Sequence, residues 1–260
     1  MTERTIALQR SARPASVWLL TAGAFFAFFI FGYVDNLKGP VLPVLLDDLS
    51  FSYTSGGTLL LGSYFGFMVA TLATGILADR VGNKVILLAA GLLLTAGLAL
   101  FSMGATFWWL FTGMTLAGLG LGAIEVGGNA LIVEVHNSRR GRFLNLLGVF
   151  HGIGSFCAPL MAAQLLLNDF SWRQVYQVTL VLTVSLALFF ALVRYPPRVH
   201  GSATSIDFSA LRAVGFTRPM LLYYLLITTY VAAELGVASW LVAFLQQEKG
   251  MSLARSSLNL

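Results

Sequence analysis

At 260 residues, with 57% apolar and only 10% charged side chains, the chain lies far from a soluble domain, where about a quarter of residues are charged. Its formal net charge of +5 would suit a nucleic-acid binder, but the cationic residues flank apolar runs and form no patch, which excludes nucleic acid as a partner. The apolar runs recur along the whole sequence and are long enough to cross about 30 Å of hydrocarbon, so single-pass anchoring is excluded as well.

Seven helices are expected in chain order: Val17–Leu46, Thr58–Ala78, Lys84–Met103, Phe107–Val135, Phe143–Leu167, Val175–Val193 and Pro219–Phe244. In lipid every backbone polar group must pair within its own segment, so runs of this length have to be helical. The run after Arg13 reads as the first span and not a signal peptide, because no small-residue cleavage site follows it. Trp18, Trp108, Trp109 and Trp172 fall near span ends, as an aromatic belt requires. Twelve Lys and Arg residues, from Arg4 through Arg139, Arg140 and Arg142 to Arg218, fall on one side of these spans; four, Lys38, Arg173, Lys249 and Arg255, fall on the other. The positive-inside rule then places the N-terminus in the cytoplasm. A cell membrane, inner or plasma, is the expected location.

Residues 194–218 carry Pro196, Pro197 and a Gly-Ser-Ala-Thr-Ser stretch, and read as a cytoplasmic linker between an N-terminal six-helix bundle (1–193) and the start of a truncated second bundle (219–260). After the linker the pattern of the first helix restarts. Tyr33-Val34-Asp35 followed by LKGPVLPVLL compares with Tyr230-Val231 through Glu234 and the following LGVASWLVAFL, which fits a second copy of a six-helix unit. An eighth helix would begin near Leu260.

Ionisable groups inside a bilayer are costly and mark function by default. Glu125 sits deep in the fourth span, where a carboxylate must face a cavity or be protonated; such a group suits loading and releasing a proton. Asn129, four residues on, shares its helix face, as does Gly122. Asp35 and Asn36 lie in the outer part of the first helix, where Asp35 could instead simply pair with Lys38 at i+3. Glu234 lies within the seventh helix, and Trp240 could stack on a sugar face, with Tyr33 and Tyr230 as lesser candidates. His151, well inside the fifth span, is a candidate proton relay with Glu125 or a packing histidine. Gln164 is a weaker polar candidate; Glu134 and His136 are expected to be solvated. Gly118 with Gly122, and Gly148 with Gly152, stand at small-xxx-small spacing for close helix packing. Three scattered histidines and one cysteine, Cys157, form no metal-ligand cluster and no internal disulfide. No cofactor is expected, no Ser/His/Asp arrangement stands out, and no enzymatic activity is expected.

Gly75 to Ile86 read GILADRVGNKVI between the second and third spans. Through Gly75, Leu77, Ala78, Asp79, Arg80, Gly82 and Lys84 this stretch resembles the signature loop of the major facilitator superfamily, departing at Asn83, where the family usually places a second basic residue. The resemblance implies an all-α integral membrane fold of twelve helices in two halves, of which this chain would hold the first six-helix bundle, a seventh helix and the start of an eighth. It further implies that the first, fourth and seventh helices line a central cavity, and that the loop (Gly75, Asp79, Arg80, Gly82 and Lys84) acts as a gate. Glu125 to Asn129, followed by RRGRFLNLLGVFHGIGSFCAPL, resembles the fourth and fifth helices of the fucose/glucose/galactose:proton symporter branch. In that branch the fourth-helix Glu, here Glu125, is tied to proton coupling and sugar recognition. The branch's first-helix coupling Asp falls near Gly39, not on Asp35.

The expected function is secondary active transport of a small polar solute, with proton-coupled sugar symport by alternating access as the leading form. Glu125, Glu234 and His151 are the candidates for proton coupling, and Asp35, Asn36, Glu125, Asn129 and Trp240 for substrate binding. Protons or Na+, a sugar and the lipid bilayer are the expected partners. Drug or metabolite efflux is the alternative, weakened because Ala158-Pro159 stands where efflux antiporters commonly carry Gly-Pro; a non-transporting half-length partner is another. A retinal or receptor protein is opposed by the cytoplasmic N-terminus and by the absence of a Lys within the seventh helix.

Overall fold

The computed structural model describes residues 14–195, 215–252 and 256, with side chains from residue 17 onward and that of Asp79 excepted. Most of the expected linker and the start of the eighth helix therefore lie outside the described residues. Helix is the only regular structure among those described.

Proline shapes the first span. Pro40 has no N–H to give to the Asn36 carbonyl, and its ring crowds that carbonyl. Helix α1 (Pro14–Asn36) accordingly ends at Asn36, and α2 (Lys38–Asp48) resumes after Leu37. Leu37 keeps right-handed helical dihedrals and donates its N–H to the Tyr33 carbonyl at 3.1 Å, so the span is kinked and not severed. This corrects the single helix expected over Val17–Leu46.

The remaining helices are α3 (Tyr53–Val81), α4 (Asn83–Met103), α5 (Phe107–Val135), α6 (Arg140–Leu167), α7 (Trp172–Leu192) and α8 (Arg218–Lys249), with a short 3-10 turn at Asn137–Arg139 before α6. Among the described residues seven helices are long and apolar enough to cross a membrane, the first being the Val17–Asn36 stretch of α1. Capping residues explain why two spans start earlier than their apolar runs. The Ser52 hydroxyl accepts the Ser55 N–H at 3.2 Å and starts α3, and Ser171 and Gln174 form a reciprocal capping box at α7. Helix α8 runs past Phe244 until Gly250, whose left-handed conformation caps it.

Helix α5 is the centre of the bundle. It packs extensively on α3 and α4 and more lightly on α1; α1 in turn packs along α6, and α4 along α7. Exchanging the first three spans for the next three maps the α3–α5 pair onto the α6–α1 pair and leaves α1–α5 and α4–α7 unchanged, while the extensive α4–α5 contact has only a light counterpart in α1–α7. Glycine sets the close approaches. A Cβ at Gly118 or Gly122 would collide with the Ser63 or Phe67 backbone of α3, and one at Gly32 or Gly154 would collide with the His151 or Phe29 carbonyl across α1 and α6. The expected Gly148–Gly152 contact is not formed: both glycines face open space, with nothing within 4 Å of a built Cβ.

Helix α8 touches this bundle at one end. Its buried residues are Ser239, Val242 and Ala243, and it packs chiefly on α2. Near there Trp240 meets the Tyr53 ring at 5.7 Å and sits over Gly56, while Gln247 donates a hydrogen bond to the Tyr53 hydroxyl.

Candidate functional site: polar groups between the first, fourth, fifth and seventh spans

The candidate residues fall into two clusters. The first lies on α5. Asn129 donates its amide to the Glu125 backbone carbonyl at 2.7 Å and to its carboxylate at 3.1 Å. Both residues are half-buried, on a face that neighbouring helices leave partly uncovered. About 15 Å of helix separates Glu125 from the end of α5 at Val135, so the carboxylate lies well inside the span. Gly122, expected on the same face, is instead buried against Phe67 of α3.

The second cluster joins α1 and α6. Without a side chain, Gly32 lets the α6 backbone close onto α1 beside His151. That approach brings the Asn36 amide within 2.9 Å of the Ser155 hydroxyl, while the same amide donates to the Gly32 carbonyl at 3.0 Å. Ser155 had no place in the sequence reading; a Ser four residues after an intramembrane His, on the same helix face, is the signal that could have found it. The His151 ring meets Phe31 edge-on at 4.7 Å, and the charges of Asp35 and Glu234 act on it from α1 and α8. His151 thus lies beside the Asn36–Ser155 contact of α1 and α6, Glu234 is exposed on α8, and no contact among the described residues links His151 to Glu125.

Asp35 forms an ion pair with Lys38, with Nζ 2.6 Å from Oδ1. Lys38 is only 4% exposed and lies over the Tyr64 ring of α3 at 4.6 Å. A cation counted among the charges that flank the spans is thus buried within the bundle. The aromatic candidates separate. Trp240 packs at the α8–α2 end, away from Glu125. Tyr33 is buried, which removes it as a stacking surface, and Tyr230 is exposed. Gln164 is exposed.

At the opposite end of the bundle lies the GILADRVGNK loop. Gly82 joins α3 to α4 at φ 92°, a conformation that a side chain would strain. Lys84 donates to the Val193 carbonyl just past α7 at 3.0 Å, and Asn83 donates to the Glu134 carboxylate at 2.7 Å. Gly75 makes no close contact, Arg80 lies in the last turn of α3, and the Asp79 side chain lies outside the described residues. Two of the groups expected to be solvated have specific partners here. Glu134 holds Asn83, and His136 shares a hydrogen bond of 2.7 Å with Thr21 and stacks on Phe143 at 3.6 Å. Partial burial lowers the His136 pKa. The Tyr195 hydroxyl is buried nearby without a partner among the described residues, and burial together with the Glu134 charge raises its pKa.

The chain was compared with known proteins on this basis. Residues 24–260 match the family model of the Major Facilitator Superfamily. The mouse (Mus musculus) "Sodium-dependent glucose transporter 1A" is 26% identical over 260 aligned residues, covering 86% of this chain and 61% of that protein. The Escherichia coli "L-fucose-proton symporter" is 25% identical over 153 residues, 55% of this chain and 33% of that protein. Among solved structures, the E. coli fucose:proton symporter superposes with a TM-score of 0.67 at 21% identity, covering 94% of this chain and 67% of that one. A D-xylose-proton symporter superposes at 0.69 and 15% identity, covering 93% and 64%. The chain spans less than two thirds of the length of the curated relatives it matches first. Family, fold and the seven apolar helices agree: the chain is a multi-pass membrane protein of the Major Facilitator Superfamily.

Proposed function

We propose that this chain is the N-terminal bundle and seventh span of a secondary active transporter that carries a sugar together with a proton by alternating access. The observation that carries the reading is the half-buried Glu125–Asn129 pair in the middle of the fourth span, on a helix face not fully covered by neighbours. A carboxylate so placed cannot stay ionised in a dry interior, so its charge is tied to whether its cavity is wet, protonated or occupied. Glu125 takes up the proton, and Asn129 orients the carboxylate through its NH2 and offers its amide oxygen as acceptor for a sugar hydroxyl. Asn36, tethered through its NH2 to Ser155, presents its amide oxygen from the first span, with Asp35 on the same span, His151 on α6 and Glu234 on α8. Trp240 closes the outer end against Tyr53, and the loop of Asp79, Arg80, Gly82 and Lys84 gates the cytoplasmic end. The N-terminus is cytoplasmic, and residues 194–218 are the linker between bundles.

The relatives named as a sodium-dependent glucose transporter and a proton symporter favour a sugar and leave two candidate ions. Uptake by proteoliposomes against a sugar panel, with either an imposed pH gradient or an imposed Na+ gradient, tests the reading. Accumulation of one sugar driven by the pH gradient is expected. Accumulation driven by Na+ alone would replace the ion, and equal indifference to every sugar would sink the substrate class.

A further inference from the structure

We propose that Lys38 is a resident counter-cation. Its ammonium fills the cation position beside Asp35, so that the first-span carboxylate needs no transported ion and ion coupling falls to the rest of the site. The last clause rests on the transport reading; the occupancy of the Asp35 position does not.

The argument starts from cost. A carboxylate that is 17% exposed inside an apolar bundle must be neutralised by a proton, a bound cation or a fixed partner. Here the partner belongs to the chain. Lys38 is the first residue of α2, immediately after the Leu37 kink that Pro40 imposes, and its side chain lies along the face it shares with Asp35. The Nζ–Oδ1 distance of 2.6 Å is that of a charge-assisted hydrogen bond. A second face of the ammonium lies 4.6 Å above the Tyr64 ring, a contact that favours a cation. Tyr64 belongs to α3, so the second wall of the pocket comes from a neighbouring span. The titratable groups around Asp35 are Lys38 on its own span, Tyr64 from α3, His151 from α6 and, beyond His151, Glu234 from α8. With its ammonium at 4% exposure, Lys38 cannot leave for water without opening the contact with α3. Removing one partner of a buried pair leaves an uncompensated charge. A small mobile cation or a proton can then occupy the vacated position, because the oxygens of Asp35 and the face of Tyr64 remain.

The test uses the purified chain and no substrate. Thermal unfolding of wild type, Lys38→Met and Asp35→Asn/Lys38→Met is followed in choline chloride and in NaCl, at pH 8 and pH 6. Lys38→Met is expected to melt lowest in choline at pH 8 and to regain several degrees on adding Na+ or lowering the pH, by mass action on the native state. Wild type and the double variant should show no such gain. Recovery of Lys38→Met from membranes only in Na+ or at pH 6 counts for the same conclusion. A Lys38→Met protein that gains no more than the double variant in any condition, or that fails to fold in all four while the double variant folds, overturns it. Because melting requires no sugar, a failed uptake assay leaves this inference standing, and a failed cation response leaves the Glu125 reading standing.

Discussion

The Asn129 amide grips Glu125 twice, at 2.7 Å on its backbone carbonyl and 3.1 Å on its carboxylate. One turn of helix thus fixes the rotamer of the only acidic side chain in the middle of the fourth span. In Asn129→Ala the carboxylate loses this partner and substrate loses an amide. A hydrogen bond to a charged group contributes about 1.5–3 kcal/mol; taking the lower end, we expect KM for uptake to rise about tenfold. Uptake kinetics over a pH series check this, and an unchanged KM with an unchanged pH profile would remove Asn129 from the site.

His136 provides a pH-dependent element outside the spans. Its folded-state pKa lies below its ordinary value because partial burial disfavours the imidazolium. The unfolded chain therefore binds the proton more readily. The contribution is complete above the unfolded pKa of about 6.5 and is lost as pH falls through the lowered folded-state value. His136→Phe keeps a ring against Phe143 and removes the titration. Its melting temperature should fall less than that of wild type between pH 7.5 and pH 5; an equal fall would assign the acid sensitivity elsewhere.

At the opposite end Asp48 accepts the Trp172 indole N–H at 2.8 Å and an Arg173 nitrogen at 2.7 Å. These two bonds, Trp172 first, hold the Asp48 carboxyl below its usual pKa. Asp48→Ala leaves the N–H of a buried tryptophan without an acceptor, which costs about 1–3 kcal/mol; water reaching the exposed carboxylate position puts the expected loss at the low end. Denaturation midpoints should show Asp48→Asn milder than Asp48→Ala, because its amide oxygen still accepts the bond. Equal loss in the two would show that the ion pair matters and the indole bond does not.

Glycines that look alike in sequence should behave oppositely. Gly32→Ala drives a methyl into the His151 carbonyl, whereas Gly148→Ala meets nothing within 4 Å. Gly32→Ala is expected to lower the yield of folded protein severalfold and to disturb the Asn36–Ser155 contact. Gly148→Ala should leave yield and melting unchanged. Monodisperse yield by size exclusion separates the two, and parity between them would contradict the α1–α6 packing described.

The number and type of spans were legible because hydropathy, charge placement and the Gly75–Lys84 motif act over many residues and agree. What lay beyond reach depends on rotation of one helix against another. Pro40 could have announced the kink, yet a long apolar run hid it. The Asp35–Lys38 pair was legible from its i, i+3 spacing, but nothing local says that the ammonium also meets Tyr64 and is buried. Trp172 fits a lipid belt by position but is 1% exposed, since Asp48 receives its N–H. The same limit explains Gly148 and Gly152, whose spacing suits a helix contact on a face that α6 turns outward. Glu134 is exposed as expected, whereas the partner that draws His136 in, Thr21, lies on another span and leaves no local signal. Glu125 and Asn129 were found together because their bond is within one helix, where i and i+4 spacing suffices.

The central claim is that the fourth-span carboxylate carries the coupling ion. The most direct measurement compares wild type with Glu125→Gln in proteoliposomes, reading both sugar counterflow and accumulation driven by an imposed pH gradient. Wild type should show both. Glu125→Gln should retain counterflow and lose gradient-driven accumulation, because a neutral amide still supports exchange but cannot load a proton. Accumulation that survives in Glu125→Gln at the wild-type level and with the wild-type pH dependence would contradict the account.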